Sequence, residues 1–136
     1  MTNDRNQAVI DEFRANGGKV TIHPAGDQLV LLTTTGAKSG RQPVTPRAFH
    51  RDDGRLIIVA SKGGAPENPA WYHNLRAHPV VTLEVGTEKF EAEASIAEGE
   101  ERDRLYRQQA ERFATFNDYE KRTTRRIPVI ILTRLT

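Results

Sequence analysis

The sequence predicts an α+β protein, mainly antiparallel β, whose sheet closes or nearly closes into a barrel with peripheral helices. Short β-branched apolar runs, Gly- and Asp-rich turns between consecutive runs, and separate amphipathic stretches predict this class. Consecutive hairpins favour antiparallel pairing, and closure hides sheet edges. The chain of 136 residues fits a single domain over 1–136.

Apolar runs bounded by turn residues place the predicted strands. These are 19–23, 29–35, 43–50, 55–60, 80–85, 87–95 and 127–135. Asp53 and Gly54 predict a tight hairpin turn, since both residues tolerate the required dihedrals. A second hairpin is expected about Gly86 and Thr87.

Four helical segments are predicted around the strands. They are about 4–16, 69–77, 98–113 and a short turn at 117–122. Gly17 and Gly18 suit the end of the first helix. Asn68 is predicted to cap the second helix, with Pro69 in its first position.

Composition excludes several kinds of site. The chain has no Cys, so a disulfide scaffold, a thiolate metal site and a Cys nucleophile are ruled out. The four His lack metal-ligand spacing and no nucleophile elbow is present, so neither a metal centre nor a Ser–His–Asp triad is expected. The net charge of +2 and the lack of a nucleic-acid motif give no reason to expect a nucleic-acid partner.

The N-terminal sequence bears on location. It carries acidic residues and lacks the apolar region of a signal peptide, and no run reaches the roughly 18 apolar residues of a membrane span. A cytoplasmic protein without stable membrane insertion is expected. Val9, Ile10 and Phe13 give the first helix a small apolar face, which favours docking on the barrel and leaves peripheral contact with a membrane open.

Two glycine-rich loops, each after a buried strand, are candidates for anion binding. The first, 36–42, carries Lys38, Ser39 and Arg41, and the second, 61–66, carries Lys62. Glycine lets backbone N–H groups approach a phosphate closely. Ordinary surface loops remain the alternative for each. A later basic cluster, 122–126, is interpreted as solvated surface.

Aromatic residues form two groups. Trp71 and Tyr72 lie near the start of the second helix, where core packing and ligand contact are both open. Phe113, Phe116 and Tyr119 recur every three residues. They are either a core stripe or a wall over a flat aromatic ligand.

The motifs occur in a recognisable order. The runs LLTTTGAKSGRQPVTP, LIIVASKGGAPENPAWYHNLRAHPVV and NDYEKRTTRRIPVIILTR resemble the deazaflavin-dependent nitroreductase family over roughly residues 24–136. The resemblance implies a split β-barrel similar to flavin reductases and pyridoxamine-phosphate oxidases. It implies an actinobacterial oxidoreductase that transfers a hydride from reduced coenzyme F-420 to a quinone, a nitroaromatic or a similar acceptor.

The resemblance also implies a set of site residues. The cofactor-binding positions are Ala37, Lys38, Ser39, Arg41, Pro43, Val44, Thr45, Pro46, Arg47, Ala48, Val59, Ala60, Ser61, Lys62, Gly63, Ala70, Trp71, Tyr72 and Asn74. The acceptor pocket is expected at Phe113, Phe116 and Tyr119, with no metal. No catalytic residue is assigned, and Ser61 and Tyr119 are the candidates.

Departures from the family pattern leave alternatives open. Of three pocket positions that carry tyrosine in nitroreductase members, only Tyr119 keeps its hydroxyl, so a more apolar pocket suited to a quinone is expected. An FMN-dependent split-barrel reductase is one alternative, and a non-catalytic cofactor- or lipid-binding protein is another. The sequence leaves monomer and homodimer open.

Overall fold

A computed structural model describes residues 4–135, with side chains from residue 5 onward. Over this range the chain forms seven strands and four α-helices. In chain order they are α1 (Asp4–Ala15), β1 (Leu29–Thr33), β2 (Val44–Ala48), β3 (His50–Asp52), β4 (Arg55–Val59), α2 (Ala70–Ala77), β5 (Val80–Val85), β6 (Glu88–Ile96), α3 (Gly99–Arg112), α4 (Thr115–Lys121) and β7 (Val129–Arg134). A 3₁₀ turn, Lys62–Gly64, precedes α2.

The strands form one antiparallel sheet that curls back on itself. Its order is β2-β1-β5-β6-β7-β4-β3. The two outermost strands, β2 and β3, belong to one stretch of chain and are separated only by Phe49. That stretch pairs with β1 through Val44–Ala48 and with β4 through His50–Asp52, so it joins the sheet's two edges. The predicted split-barrel class is confirmed.

Alternation along the strands divides the apolar residues between two faces. On β1, Val30 and Leu32 enter the barrel core, whereas Leu29 and Leu31 face outward. The core is completed at one end by α2, through Trp71, Tyr72 and Leu75. Outward-facing residues of β4 and β7 pack against α3 and α4.

The first helix docks on the barrel, as its apolar face predicts. Val9, Ile10 and Phe13 are fully buried and pack against Leu29 and Leu31 on the outer face of β1. This face is therefore unavailable for peripheral contact with a membrane. Within the described residues, no helix has the length and apolar character needed to cross a bilayer.

The predicted strand at 19–23 is wrong. This segment is irregular, and a carboxylate on α1 replaces a strand partner. Glu12 accepts the backbone N–H groups of Thr21 and Ile22 at 2.7 and 3.2 Å, and it also accepts the Thr21 hydroxyl at 2.7 Å. The hydrogen bonds from Thr21, and to a smaller extent the one from Ile22, lower the pKa of the Glu12 carboxyl below its usual value. A single side chain thus satisfies donors that a strand would present to a neighbour.

The predicted cap of α2 is also wrong. The helix begins at Ala70, Pro69 is the extended residue before it, and no side chain caps its N–H groups. The Asn68 side chain instead accepts a hydrogen bond from Arg125 at 2.7 Å. The Asn68 side-chain oxygen therefore binds Arg125 instead of the N–H groups at the start of the helix.

Asp52 is more than a turn residue, because it ties the β3–β4 hairpin to α3. Its carboxylate accepts two hydrogen bonds from Arg104, at 2.9 and 3.2 Å, and one from Arg55 at 2.9 Å. Arg104 is the main cause that holds the pKa of Asp52 well below its usual range, followed by Arg55. The following residues, Asp53 and Gly54, have positive φ values of 52° and 78°, which confirms the predicted hairpin turn.

An Asp52→Asn variant is expected to lower the free energy of unfolding at pH 7 by about 1 kcal/mol. Because the pKa of Asp52 is lower in the folded protein than in the unfolded chain, its carboxylate stabilises the fold at pH values above the ordinary Asp pKa of about 3.9. This stabilisation is lost as the pH falls through the pKa of Asp52 in the folded protein. Urea titrations from pH 7 to pH 2.5 should therefore show the wild-type and variant stabilities converging. Asp53→Asn, in the exposed position of the same turn, is the control, and a gap that stays constant with pH would contradict this role.

Candidate functional site

The first glycine-rich loop and the start of α2 enclose a cleft of about 760 Å³. We call it the loop cleft. It is lined by Gly36, Ala37, Lys38, Ser39, Arg41, Gln42, Pro43, Ala70, His73 and Asn74. None of these residues is acidic, so the described wall of the cleft is neutral or cationic. The loop cleft therefore suits a negatively charged ligand.

The loop itself is a closed turn. The N–H of Gly36 donates to the Arg41 carbonyl at 2.6 Å, and the N–H of Arg41 donates to the Ser39 hydroxyl at 3.2 Å. A Cβ on Gly36 would lie 2.6 Å from the Ser39 hydroxyl oxygen, so any larger residue there requires Ser39 to move. Lys38 and Arg41 remain exposed at the rim.

Asn74 connects this loop to α2. Its side-chain oxygen accepts the Ala37 N–H at 3.1 Å, and its amide group donates to the Thr34 hydroxyl at 3.1 Å. Thr34 is buried directly after β1, so Asn74 links the loop, through Ala37, to the end of a barrel strand, through Thr34. Its side chain acts as a positioning group as well as a lining one.

A second cavity, of about 300 Å³, lies further along β2. We call it the aromatic pocket. Its lining residues are Arg5, His23, Pro24, Ala25, Pro46, Arg47, Ala48, Val59, Ser61, Gly63, Phe113, Thr115, Phe116 and Tyr119. Pro43 lines the loop cleft and Pro46 the aromatic pocket, and three residues of strand span roughly 10 Å. The two cavities therefore lie near each other along β2.

The three aromatic residues belong to the packed core and also line the aromatic pocket. Phe113 ends α3 and Phe116 and Tyr119 lie on α4, all packed against the outer cluster of β4 and β7. The Phe116 and Tyr119 rings meet edge-on with centroids 5.1 Å apart, and Phe113 lies 6.2 Å from Phe116. The same rings line the aromatic pocket, which confirms the core role, while contact with a flat ligand stays a prediction.

Three residues that line the aromatic pocket carry hydroxyl groups, Ser61, Thr115 and Tyr119, and the first and last of these are expected site residues. Ser61 is buried after β4, and Tyr119 is half-buried on α4. Among residues 5–135, neither hydroxyl has a hydrogen-bond partner, and both residues line the pocket. Neither oxygen is among the fully buried side-chain atoms without a partner, so both remain accessible to a molecule in the pocket.

The second glycine-rich loop is held by Arg125. This guanidinium donates to the carbonyls of Ala65 at 2.8 Å, Ser61 at 2.7 Å and Ala60 at 3.3 Å, as well as to Asn68. Burial is the main cause that lowers the pKa of Arg125, and Glu67 partly opposes it. The interpretation of 122–126 as solvated surface is therefore wrong at Arg125, whereas Arg122 and Arg126 are exposed.

Several expected cofactor contacts lie outside both cavities. The Lys62 ammonium pairs with Glu67 at 2.9 Å in solvent, and Thr45 belongs to the β1–β2 ladder. Val44 packs toward α1, and Ala60, Trp71 and Tyr72 lie in the barrel core. The two aromatic side chains take the core role, so a cofactor contact at these positions requires the backbone of α2.

The structure adds lining residues that the sequence did not single out. Arg5 comes from α1, His23, Pro24 and Ala25 from the irregular segment before β1, and Thr115 from α4. No local pattern distinguishes these positions, because only the folding of distant segments brings them together. Within residues 5–135, no group of three His, Asp or Glu is placed to hold a metal ion.

Fold and site define a split barrel with two cavities lined by residues of one strand and its neighbouring loops. Comparison with known proteins identifies the family. Residues 5–134 match the F-420H(2)-dependent quinone reductase family, and the chain belongs to it. The expected resemblance to deazaflavin-dependent oxidoreductases is confirmed.

Individual relatives agree with this assignment. The F-420H(2)-dependent quinone reductase Rv1261c of Mycobacterium tuberculosis is 39% identical over 126 residues, covering 90% of this chain and 85% of the relative. A solved F-420-H2-dependent reductase, FDR-A, has a TM-score of 0.71 and 39% identity, covering 77% of this chain and 93% of its own. A domain-swapped dimer at 35% identity has a TM-score of 0.74 and covers 90% of this chain and 93% of its own.

Replacing Arg125 with Gln is expected to lower the free energy of unfolding by ~2 kcal/mol, since several loop carbonyls lose their donors. The 61–68 loop should also lose its shape, so binding of coenzyme F-420 should weaken about tenfold. Chemical denaturation and cofactor titration measure the two effects. Arg126→Gln removes an exposed arginine from the same cluster and is the control. Equal behaviour of the two variants would show that Arg125 does not organise the loop.

Proposed function

We propose that this chain binds reduced coenzyme F-420 along β2 and transfers a hydride to a quinone in the aromatic pocket. The observation that carries the proposal is the convergence of five separate segments on two neighbouring cavities. The first loop and α2 form the loop cleft, while β2, the second loop and α4 form the aromatic pocket. Family membership supports the cofactor and the acceptor class.

The loop cleft fits the phosphorylated, polyanionic end of the cofactor. Lys38 and Arg41 stand at its rim, backbone N–H groups of the turn are close by, and the described lining contains no carboxylate. Cations and oriented amides attract phosphate and carboxylate groups. Ala37, Ser39 and Pro43 complete the wall on the loop side.

The aromatic pocket fits a flat ring system and its acceptor. Pro46, Ala48 and Val59 give it an apolar floor, and the phenylalanines supply aromatic faces. When bound, the reduced coenzyme supplies the hydride, and the protein orients it and excludes water. A quinone that accepts a hydride becomes a hydroquinone anion, which then takes up one proton to become the neutral hydroquinone. We propose Ser61 and Tyr119 as the groups that hold the acceptor oxygens.

Finer assignments are also proposals. Reduction of nitroaromatics is a secondary activity, since Tyr119 is the only tyrosine among the three residues of the expected acceptor wall. A cytoplasmic location and actinobacterial origin fit the Mycobacterium relatives. A homodimer is favoured by the solved relative described as a domain-swapped dimer. FMN remains the alternative cofactor, and a non-catalytic carrier the alternative function.

Cofactor choice can be tested by titrating the protein with coenzyme F-420 and, separately, with FMN. Binding of F-420 is expected, and Lys38→Ala should weaken it several-fold at low salt, with a smaller effect at high salt. Lys89→Ala, an exposed lysine on β6, is the control. Binding of FMN with no response to F-420 would move the protein to the flavin-using split barrels. Tight F-420 binding without turnover of any quinone would favour the carrier.

Tyr119→Phe is expected to lower kcat with a quinone about tenfold or more and to leave cofactor affinity unchanged. The reason is that the hydroxyl contacts only the acceptor in the proposed arrangement. Tyr106→Phe provides the contrast. Its hydroxyl donates to the Phe116 carbonyl at 2.6 Å, so its loss should reduce stability and spare kcat. Unchanged turnover in Tyr119→Phe would remove the proposed role.

A further inference from the structure

Arg47 is a partly buried cation with unused hydrogen-bonding capacity. It lies on β2 opposite Val30 and lines the aromatic pocket. Its Nε donates to the Pro46 carbonyl at 2.6 Å, and among the side chains of residues 5–135 no partner contacts its two terminal nitrogens. Burial is the main cause that lowers the pKa of Arg47, with Tyr119 opposing it. A guanidinium in this state lacks the anion that would offset its desolvation.

The residues around Arg47 add further positive charge and no negative charge. Arg5 and His23 also line the aromatic pocket, and none of the described lining residues is Asp or Glu. Burial lowers the pKa of His23 first, and Arg47 and Arg5 lower it further. Tyr119, on α4, is the remaining titratable lining residue. The lowered pKa leaves His23 neutral near pH 7, so the described lining contributes two guanidinium cations, Arg5 and Arg47, and no carboxylate, which gives the pocket a positive potential.

The shape of the pocket restricts what this anion can be. Phe113, Phe116 and Tyr119 form one wall, and the cavity of about 300 Å³ holds a small ring system. A guanidinium is planar and offers paired N–H donors, which suits an oxygen anion at the edge of a flat ring. An oxyanion conjugated to an aromatic or quinonoid ring can pack its ring against the aromatic wall and accept hydrogen bonds from the guanidinium at the same time.

We propose that Arg47 binds the oxyanion of a flat conjugated ring in the aromatic pocket, and so makes this protein selective for acceptors that carry or develop negative charge on a ring oxygen. The proposal rests on the proposed function. Hydride transfer to a quinone places the added electron pair on the acceptor as a hydroquinone oxyanion, and one proton then neutralises it. Arg47 stabilises this anion before the proton arrives, and the same contact favours an acidic hydroxyquinone that is already ionised.

Two sources supply this ligand chemistry. One is the acceptor, as a hydroxyquinone or hydroquinone anion. The other is the deazaflavin ring, whose 8-hydroxyl is a phenol that can ionise. Both place an oxyanion on a flat ring, and both fit the same wall. Spectra of the two chromophores distinguish them, because ionisation changes the visible absorption of each.

The experiment measures ligand ionisation without turnover. 2-Hydroxy-1,4-naphthoquinone is titrated over pH in the presence of saturating protein, and oxidised coenzyme F-420 is titrated in a separate arm. We expect the wild-type protein to favour the anion of at least one ligand by about tenfold over free solution. Arg47→Gln should abolish this preference, and Arg47→Lys should restore part of it. The exposed Arg107→Gln is the control.

The outcomes separate the proposal from the proposed function. Loss of the preference for the hydroxyquinone alone assigns Arg47 to the acceptor, and loss for F-420 alone assigns it to the deazaflavin. An Arg47→Gln variant that remains folded by circular dichroism and ionises both ligands as the wild type does overturns the inference. Because Arg47→Lys keeps the charge, it separates charge from packing if Arg47→Gln does not fold. Absence of quinone turnover by the wild type with F-420 defeats the proposed function instead.

Discussion

The closure of the sheet by one stretch of chain is the constraint on which the site depends. Residues 44–52 pair with β1 on one side and with β4 on the other, and Phe49 is the residue between the two pairings. Phe49 is buried in the barrel core, and its N–H donates to the Gln28 carbonyl, so the switch point is anchored. The strand leading to this point runs past both cavities. Barrel closure and ligand placement are thus consequences of the same backbone path.

The two glycine-rich loops are shaped by side chains that lie elsewhere in the chain. Asn74 holds the first loop from α2, and Arg125 holds the second from the segment before β7. In both cases a side chain satisfies backbone groups of an irregular loop, which removes the cost of leaving them buried without partners. Loops held in this way present their charged side chains to a ligand with less rearrangement on binding. Each loop is thus tied to the barrel by a side chain from a distant segment.

The aromatic pocket combines two opposed properties. Its aromatic wall is apolar, whereas Arg47 and Arg5 add two cations to the rest of the lining. The sequence comparison among three pocket positions suggested a pocket that is more apolar throughout. The structure changes this expectation, because β2 and α1 add cations that no aromatic motif reveals. A pocket of this kind selects for rings that carry charge at the edge and present an apolar face.

The sequence by itself determined the class of fold, the two loops and the family. Apolar runs with Asp-Gly and Gly-Thr turns specify strands and hairpins, and local periodicity specifies helices, because these patterns act over a few residues. It failed at 19–23 and at Asn68, where Glu12 and Arg125 outcompete local preference from a distance. Only the tertiary structure decided that Arg125 binds the carbonyls of the second glycine-rich loop and that Trp71 packs in the barrel core. It also decided that Arg5, His23 and Arg47 share a pocket, since burial and unpaired charge arise from contacts between segments remote in sequence.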